Sequence, residues 1–333
     1  MDSSTLGRSD LRPPPVIFGA MARQQQTDSE RIDILQAAIE LGFTTLDTAP
    51  LYDFGAAERQ IAMALRDQSR LQVHVYTKAG LRWEGDKHGE VLFTFTDPSG
   101  KQGAVRRNSR PESICWEVEA SLTRLQLDCL ELVQLHQPDE LTPINETMGA
   151  LLDLRAAGKV RHIGVSNFSP AQVKAAQQAL GDVPLACVQA DYSLANQSFA
   201  RTHLPHCIEQ QIGVLAYSPL AGGMLTGTKP AQTPTPVQRA IQQTLQPVAE
   251  THCVPAAVVA MAWVRAQTGV NAAICGASSV AQISALAPAL TLRLDPHEQQ
   301  TLTTAFARAT RRPLVGRIAG RLKRYAKRAL GRR

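Results

Sequence analysis

The stretch Arg161-His162-Ile163-Gly164-Val165-Ser166-Asn167-Phe168-Ser169-Pro170 decides the fold. Its first six residues read as a short strand. Ser169-Pro170 then opens a helix, with the serine as N-cap and the proline at the first helical position, where its missing N–H costs nothing. A helical pattern covers 170–180, and a second strand-like run, Ala186–Ala190, follows it. Strand, helix, strand is the unit of a parallel sheet, because parallel neighbours need a crossover long enough to hold a helix.

The unit repeats in both directions. Strand-like runs stand at Val16–Met21, Thr44–Thr48, Val73–Thr77, Cys129–His136, Arg161–Ser166, Ala186–Ala190, Gly213–Tyr217 and Asn271–Cys275. Helical patterns lie near 29–41, 57–67, 111–125, 144–157, 170–180, 200–210, 255–267 and 280–287. The strands alternate little between apolar and polar, as burial on both faces demands. Gly42 and Gly158 stand where helices should stop. Eight such units make a closed parallel barrel or a long doubly wound sheet. No G-x-G-x-x-G follows the first strand, which favours the barrel. The expected fold is therefore α/β, a (β/α)8 TIM barrel over 13–310 with a basic C-terminal tail, 311–333. Two connections are long. Residues 79–110 contain a β-hairpin pattern (Val91–Thr96, the turn Asp97-Pro98-Ser99-Gly100, Lys101–Val105), and 219–236 are rich in Gly, Thr and Pro. Both leave the C-terminal end of a strand, the face on which α/β barrels carry their sites.

Composition narrows the classes. The net charge is +6, from 35 basic and 29 acidic residues, but ten of the basic ones fall in 311–333. The remaining 25 against 29 leave a mildly acidic body, so no nucleic-acid partner is expected. The longest apolar stretch, near 254–264, is too short to span a bilayer. The N-terminus lacks the apolar core of a secretory signal, and a cytoplasmic location is expected. Cys115, Cys129, Cys187, Cys207, Cys253 and Cys275 show no C-x-x-C and no zinc spacing, so they read as buried free thiols with no metal site.

Ionisable residues gather at strand ends. Asp47 and Tyr52 follow the second strand, Lys78 ends the third, and His136 ends the fourth. A barrel converges strand ends on one mouth, so an acid, a phenol, an amine and an imidazole can share a pocket. A phenol with a pKa near 10 is a poor donor at pH 7. A neighbouring ammonium lowers that value, and a carboxylate can hold the ammonium in place. A neutral imidazole can orient a carbonyl oxygen. The set suits proton transfer to a carbonyl oxygen becoming an alkoxide.

With these residues in order, the chain resembles the aldo-keto reductase family over roughly residues 13–290. The matching stretches are Leu46-Asp47-Thr48-Ala49 with Tyr52, Lys78, Leu135-His136-Gln137-Pro138-Asp139, Gly164-Val165-Ser166-Asn167-Phe168, Val188-Gln189-Ala190-Asp191-Tyr192-Ser193, Ala216-Tyr217-Ser218-Pro219-Leu220-Ala221-Gly222-Gly223 and Gly276-Ala277-Ser278-Ser279. The resemblance implies an NAD(P)-dependent oxidoreductase that interconverts aldehydes or ketones and alcohols by hydride transfer. It makes Tyr52 the general acid/base, tuned by Lys78 and Asp47, with His136 positioning the carbonyl. Ser166, Asn167 and Gln189 would hold the nicotinamide carboxamide, and Tyr217 would stack on its ring. Ser218, Pro219, Leu220 and Gly222 would lie over the pyrophosphate. Gly276, Ala277 and Ser278 with Gln282 would hold the adenosine phosphate. The expected cofactor is NADP, with NAD also accepted. Ser278 stands where NADP-binding relatives often carry Arg or Lys, and the family's Glu-Asn pair further on appears as Ala285-Leu286. The alternative within the same fold is a cofactor-binding regulatory subunit of low turnover.

In the tail, Leu314, Ile318, Leu322 and Tyr325 fall on one helical face beside Arg317, Arg321, Arg324 and Arg328. That pattern suits an anionic membrane surface or an acidic partner, or else a solvated end of the chain.

Overall fold

The computed structural model describes residues 5–21, 26–66, 73–96, 100, 102–227 and 233–310. Eight parallel strands close a barrel in sequence order: β1 (Val16–Gly19), β2 (Thr45–Asp47), β3 (His74–Ala79), β4 (Leu130–Leu135), β5 (Val160–Ser166), β6 (Leu185–Asp191), β7 (Gly213–Tyr217) and β8 (Ala272–Cys275), with β8 pairing back onto β1. The TIM barrel read from the sequence is the observed architecture. The basic tail, 311–333, lies outside the described residues.

Between strands run α1 (Asp28–Glu40), α2 (Ala56–Ala64), α3 (Pro111–Leu125), α4 (Ile144–Ala156) and α5 (Pro170–Ala179). Their ends follow the sequence. Ser169 accepts from the Gln172 amide, and Gln172 returns a bond to the Ser169 amide, so two orphan donors are satisfied together. Gly42 and Gly158 sit at positive φ just past α1 and α4, in the conformation a left-handed helix stop requires. The outer core lies between strands and helices. The helix Ala256–Arg265 contributes heavily to it, with Val258, Val259, Met261 and Trp263 fully buried.

A second cluster fills the barrel itself: Ile17, Tyr76, Leu132, Cys187, Leu215 and Ile274. Leu6 and Leu11 join it from below, so residues before β1 close the bottom of the barrel. Gly7 makes this possible. It has φ 58°, and a Cβ there would meet Ala186 O and Gly213 N at 2.7 Å. With the bottom plugged, the polar strand ends at the opposite rim form the mouth.

Four details depart from expectation. The hairpin, Glu90–Thr96 with Gln102–Arg107, gains a short third strand, Leu81–Arg82; its tip, 97–99 and 101, lies outside the described residues. The expected helix 200–210 is two, Ser198–Thr202 and Leu204–Glu209, broken beside Pro205. Helical turns over Pro236–Thr251 and a helix Pro296–Ala309 extend beyond the eight units. All six cysteines are free, but only Cys187, Cys207 and Cys275 are buried; Cys129 and Cys253 are exposed and Cys115 is intermediate. Cys253 sits at φ 52° in the turn after the helix Gln246–Thr251. Among the described residues no single helix is long and apolar enough to cross a membrane.

Candidate active site

Strand alternation sends successive side chains of β3 to opposite faces. Thr77 points out of the barrel, where its hydroxyl donates to the buried Glu58 carboxylate at 2.7 Å. Lys78 therefore points in. Its ammonium reaches Asp47 Oδ1 at 2.6 Å and Thr48 O at 2.9 Å. Both partners are only 2% exposed. A buried charge pair of this kind persists only when the remaining hydrogen-bond capacity is met. Here it is: Asp47 Oδ2 accepts from Gln189 Nε2 at 2.7 Å and Gln134 Nε2 at 3.4 Å. Gln189 Nε2 also donates to Gln134 Oε1 at 3.1 Å. Gln134 was not among the expected site residues. A lone amide inside the apolar run Leu132-Val133-Gln134-Leu135 is the signal that marks it, since burying an amide without a partner is costly.

Tyr52 stands in the turn after β2, half-buried, with Lys78 Nζ 5.2 Å from its ring centre. The His136 ring lies edge-on to it at 5.9 Å and 79°. The four strand-end residues thus meet at one mouth. Burial, and then the Asp47 carboxylate, push the Tyr52 phenol above its ordinary value. The net direction is opposite to the lowering expected from a neighbouring ammonium, with burial as the larger cause. Burial, and then Lys78, hold the His136 imidazole well below 6.5, so it is neutral at pH 7.

The next strands carry a second chain of contacts. Tyr217 donates through its hydroxyl to Asn167 Oδ1 at 2.7 Å, and Asn167 Nδ2 donates to His136 O at 2.9 Å and Ser166 Oγ at 3.0 Å. Asn167 takes φ 64°, a conformation that Asn tolerates better than most side chains. Burial, and then Tyr52, push the Tyr217 phenol up to about 12, which puts the two rings in one field. After Tyr217 come Ser218-Pro219-Leu220, with Ser218 at φ 54°, and then a glycine turn, Gly222 (φ 73°) and Gly223 (φ 92°). Among the described residues, nothing lies within 4 Å of where a Cβ would stand on either glycine. Gly276 leaves β8 against β1, and a Cβ there would meet Gly19 O at 2.7 Å. Ala277 is buried beside it. Ser278 is tied down on three sides. Its N–H and hydroxyl donate to Gln282 Oε1 at 2.6 and 2.9 Å, and its carbonyl accepts from Gln26 Nε2 at 2.7 Å. The expected site residues therefore form three groups: Asp47–Lys78–Tyr52–His136 with Ser166, Asn167, Gln189 and Tyr217; the turn Ser218-Pro219-Leu220 to Gly222 after β7; and a separate Gly276–Gln282 group after β8.

A model of the Aldo/keto reductase family matches residues 15–306. The chain belongs to this family. Aldo-keto reductase YhdN of Bacillus subtilis is 31% identical over 293 residues, 82% of each chain. The NADH-specific methylglyoxal reductase of Escherichia coli is 31% identical over 299 residues, 84% of this chain and 88% of its own. Among solved structures, a glycerol dehydrogenase from Gluconobacter oxydans superposes with a TM-score of 0.81 at 29% identity, covering 94% of this chain and 97% of its own. As an aldo-keto reductase, the protein is an oxidoreductase that uses NAD(P)H and acts on small-molecule carbonyl compounds. The residues at its mouth fit such a cofactor. Among the described residues the glycine turn has open space around Gly222 and Gly223, and Tyr217, five residues before it, is held by its hydrogen bond to Asn167.

Proposed function

We propose that the protein reduces aldehydes or ketones, with Tyr52 as the proton donor and Asp47, Lys78 and His136 completing the catalytic set. The observation that carries this reading is the Asp47–Lys78 ion pair, fully buried, with its ammonium beside the Tyr52 ring. The bound nicotinamide supplies the hydride. Everything else falls to the protein. The neutral His136 imidazole can donate an N–H to the carbonyl oxygen and hold it near the Tyr52 hydroxyl. As the oxygen gains charge, the phenol passes it a proton. A raised phenol pKa keeps that proton in place until it is needed, and Lys78 stabilises the phenolate left behind. The low-dielectric surroundings strengthen both contacts.

Ser166, Asn167 and Gln189 would hold the carboxamide. Both N–H groups of Gln189 are engaged by Asp47 and Gln134, which leaves its Oε1 to accept from a ligand amide. Tyr217 would stack on the nicotinamide ring, with Ser218, Pro219, Leu220 and Gly222 over the pyrophosphate. Gly276, Ala277, Ser278 and Gln282 would meet the adenosine end. Ser278 offers hydroxyl chemistry there and no charge, so NADPH and NADH are both used, with a modest preference for NADPH. The relatives' substrates point to small carbonyls such as methylglyoxal as the first to try. A cytoplasmic location, and an anionic surface as the partner of 311–333, belong to this proposal on sequence pattern alone.

The test is Tyr52→Phe. Turnover should fall by about 10²–10⁴-fold, the usual contribution of general acid catalysis, while NADPH binding, followed by fluorescence, stays near the parent value. A variant that keeps more than half of the parent turnover sinks the assignment.

A further inference from the structure

Tyr52 is followed by three successive residues in the left-handed region: Asp53 (φ 49°, ψ 38°), Phe54 (φ 50°, ψ 53°) and Gly55 (φ 83°). Glycine enters that region freely and aspartate tolerates it, but phenylalanine does so rarely. Such a turn persists only where its surroundings over-determine it. Two contacts do so here. The Phe54 ring lies 4.5 Å from Phe95 and 5.9 Å from Trp83, inside the apolar cluster under the hairpin. Asp53 Oδ2 accepts from Arg31 Nη1 at 2.6 Å.

Arg31 reaches Asp53 from α1, and its side chain is 10% exposed. Its other arm, Nη2, donates to Ala20 O at 2.9 Å. Ala20 follows β1, and its own N–H donates to Asp47 O at 2.8 Å. One guanidinium thus joins the turn that carries Tyr52 to the backbone that carries Asp47. The planar fork of arginine suits this double duty, and a lysine could not make both bonds in fixed directions.

We propose that Arg31, acting through Asp53, is a positioning residue that holds the Tyr52 hydroxyl in register with the Lys78 ammonium. The inference rests on Tyr52 being the proton donor. Neither Arg31 nor Asp53 touches the reacting atoms. Their effect is on where the phenol stands, and small misplacements of a reacting group cost rate steeply.

The test compares Asp53→Gly, Arg31→Gln and the double variant with the parent and with Tyr52→Phe, using methylglyoxal and NADPH. Asp53→Gly keeps a residue at ease in the left-handed region and removes the carboxylate that Arg31 holds, while Arg31→Gln removes the same bond without changing the turn's own residues. Its kcat should fall by about tenfold or more, with KM and NADPH affinity within about twofold of the parent, as expected when binding contacts are untouched. The alkaline limb of its pH profile should shift. The phenol's own titration, read as tyrosinate absorbance by difference from Tyr52→Phe, should shift with it, and this readout needs no turnover. Arg31→Gln should lower kcat and move both titrations in the same direction, and the double variant should fall short of the product of the two single effects, because each already removes the Asp53–Arg31 bond. A clamp that serves only folding would lower Tm and leave kcat, the pH limb and the tyrosinate titration at parent values; that result overturns the inference. An inactive Tyr52→Phe beside an Asp53→Gly with parent kinetics and titration sinks the clamp alone. A fully active Tyr52→Phe sinks the tyrosine assignment, and the clamp with it.

Discussion

Lys78 has no solvent to retreat into, being 2% exposed with its ammonium shared between Asp47 and the Thr48 carbonyl. Lys78→Met removes the charge and leaves the Asp47 carboxylate facing only Gln189 and Gln134. The phenolate of Tyr52 then loses its stabiliser, so turnover should drop strongly and the pH dependence of the residual activity should move to higher pH. Identical pH curves for variant and parent would show that the amine and the phenol do not act together. At the far end of the cofactor site the governing side chain is Ser278, whose hydroxyl donates to Gln282. A guanidinium placed there can form a charge-assisted contact with a 2′-phosphate, which a hydroxyl cannot match. Ser278→Arg should therefore tighten NADPH and leave NADH nearly unchanged, as read by fluorescence titration of both. Equal changes for the two cofactors would put this segment away from the 2′-phosphate.

Helix α3 presses a carboxyl against the end of β3. Both oxygens of Glu117 lie 3.2 Å from the Gly80 amide, and the residue is 1% exposed. Burial raises its pKa to about 7, against partial opposition from Arg82, the Gly80 N–H and Ser113. A carboxyl raised in the folded state favours folding fully below its unfolded value of 4.5 and loses that contribution as pH rises through about 7. Glu117→Gln should then be more stable than the parent at pH 8, by up to about 3 kcal/mol, with the gain shrinking towards pH 5. Urea unfolding at several pH values measures this, and a pH-independent difference would refute it. At this scale most of the fold was legible. Unalternating apolar runs located every barrel strand, because burial on both faces leaves that mark. Strand ends then located Asp47, Tyr52, Lys78 and His136. The helix Pro296–Ala309 was missed, although Asp295 and Glu298 form a capping box at its start. The turns over Pro236–Thr251 were hidden by Pro236 and Pro247, which punctuate the pattern as a loop would. Side-chain partners were harder to foresee. Gln134 meeting Asp47, and Arg31 meeting Asp53, depend on which faces the closed barrel brings together.

For the whole molecule, the eight strand–helix units and the helix ending at Ala309 make a closed body without residues 311–333. Deleting that run should leave a folded, active enzyme and remove ten positive charges. If the run is an anchor, the full chain co-sediments with anionic vesicles and releases as salt rises, and the shortened chain does neither. Sedimentation of neither form would dismiss the anchor. A changed kcat or KM would bring the run to the substrate instead. The barrel's closure has a consequence in time as well. β1 finds its second neighbour only in β8, and the plug below is fastened where Asn271 Nδ2 donates to Thr5 O, 266 residues along the chain. At ribosomal speeds of about 5–20 residues per second, roughly 13–50 s pass between the birth of the first strand and that of the last. Through that interval the nascent sheet has two raw edges, and its floor is not yet fastened to the last strand. Its safety before completion depends on what shields it as it leaves the ribosome.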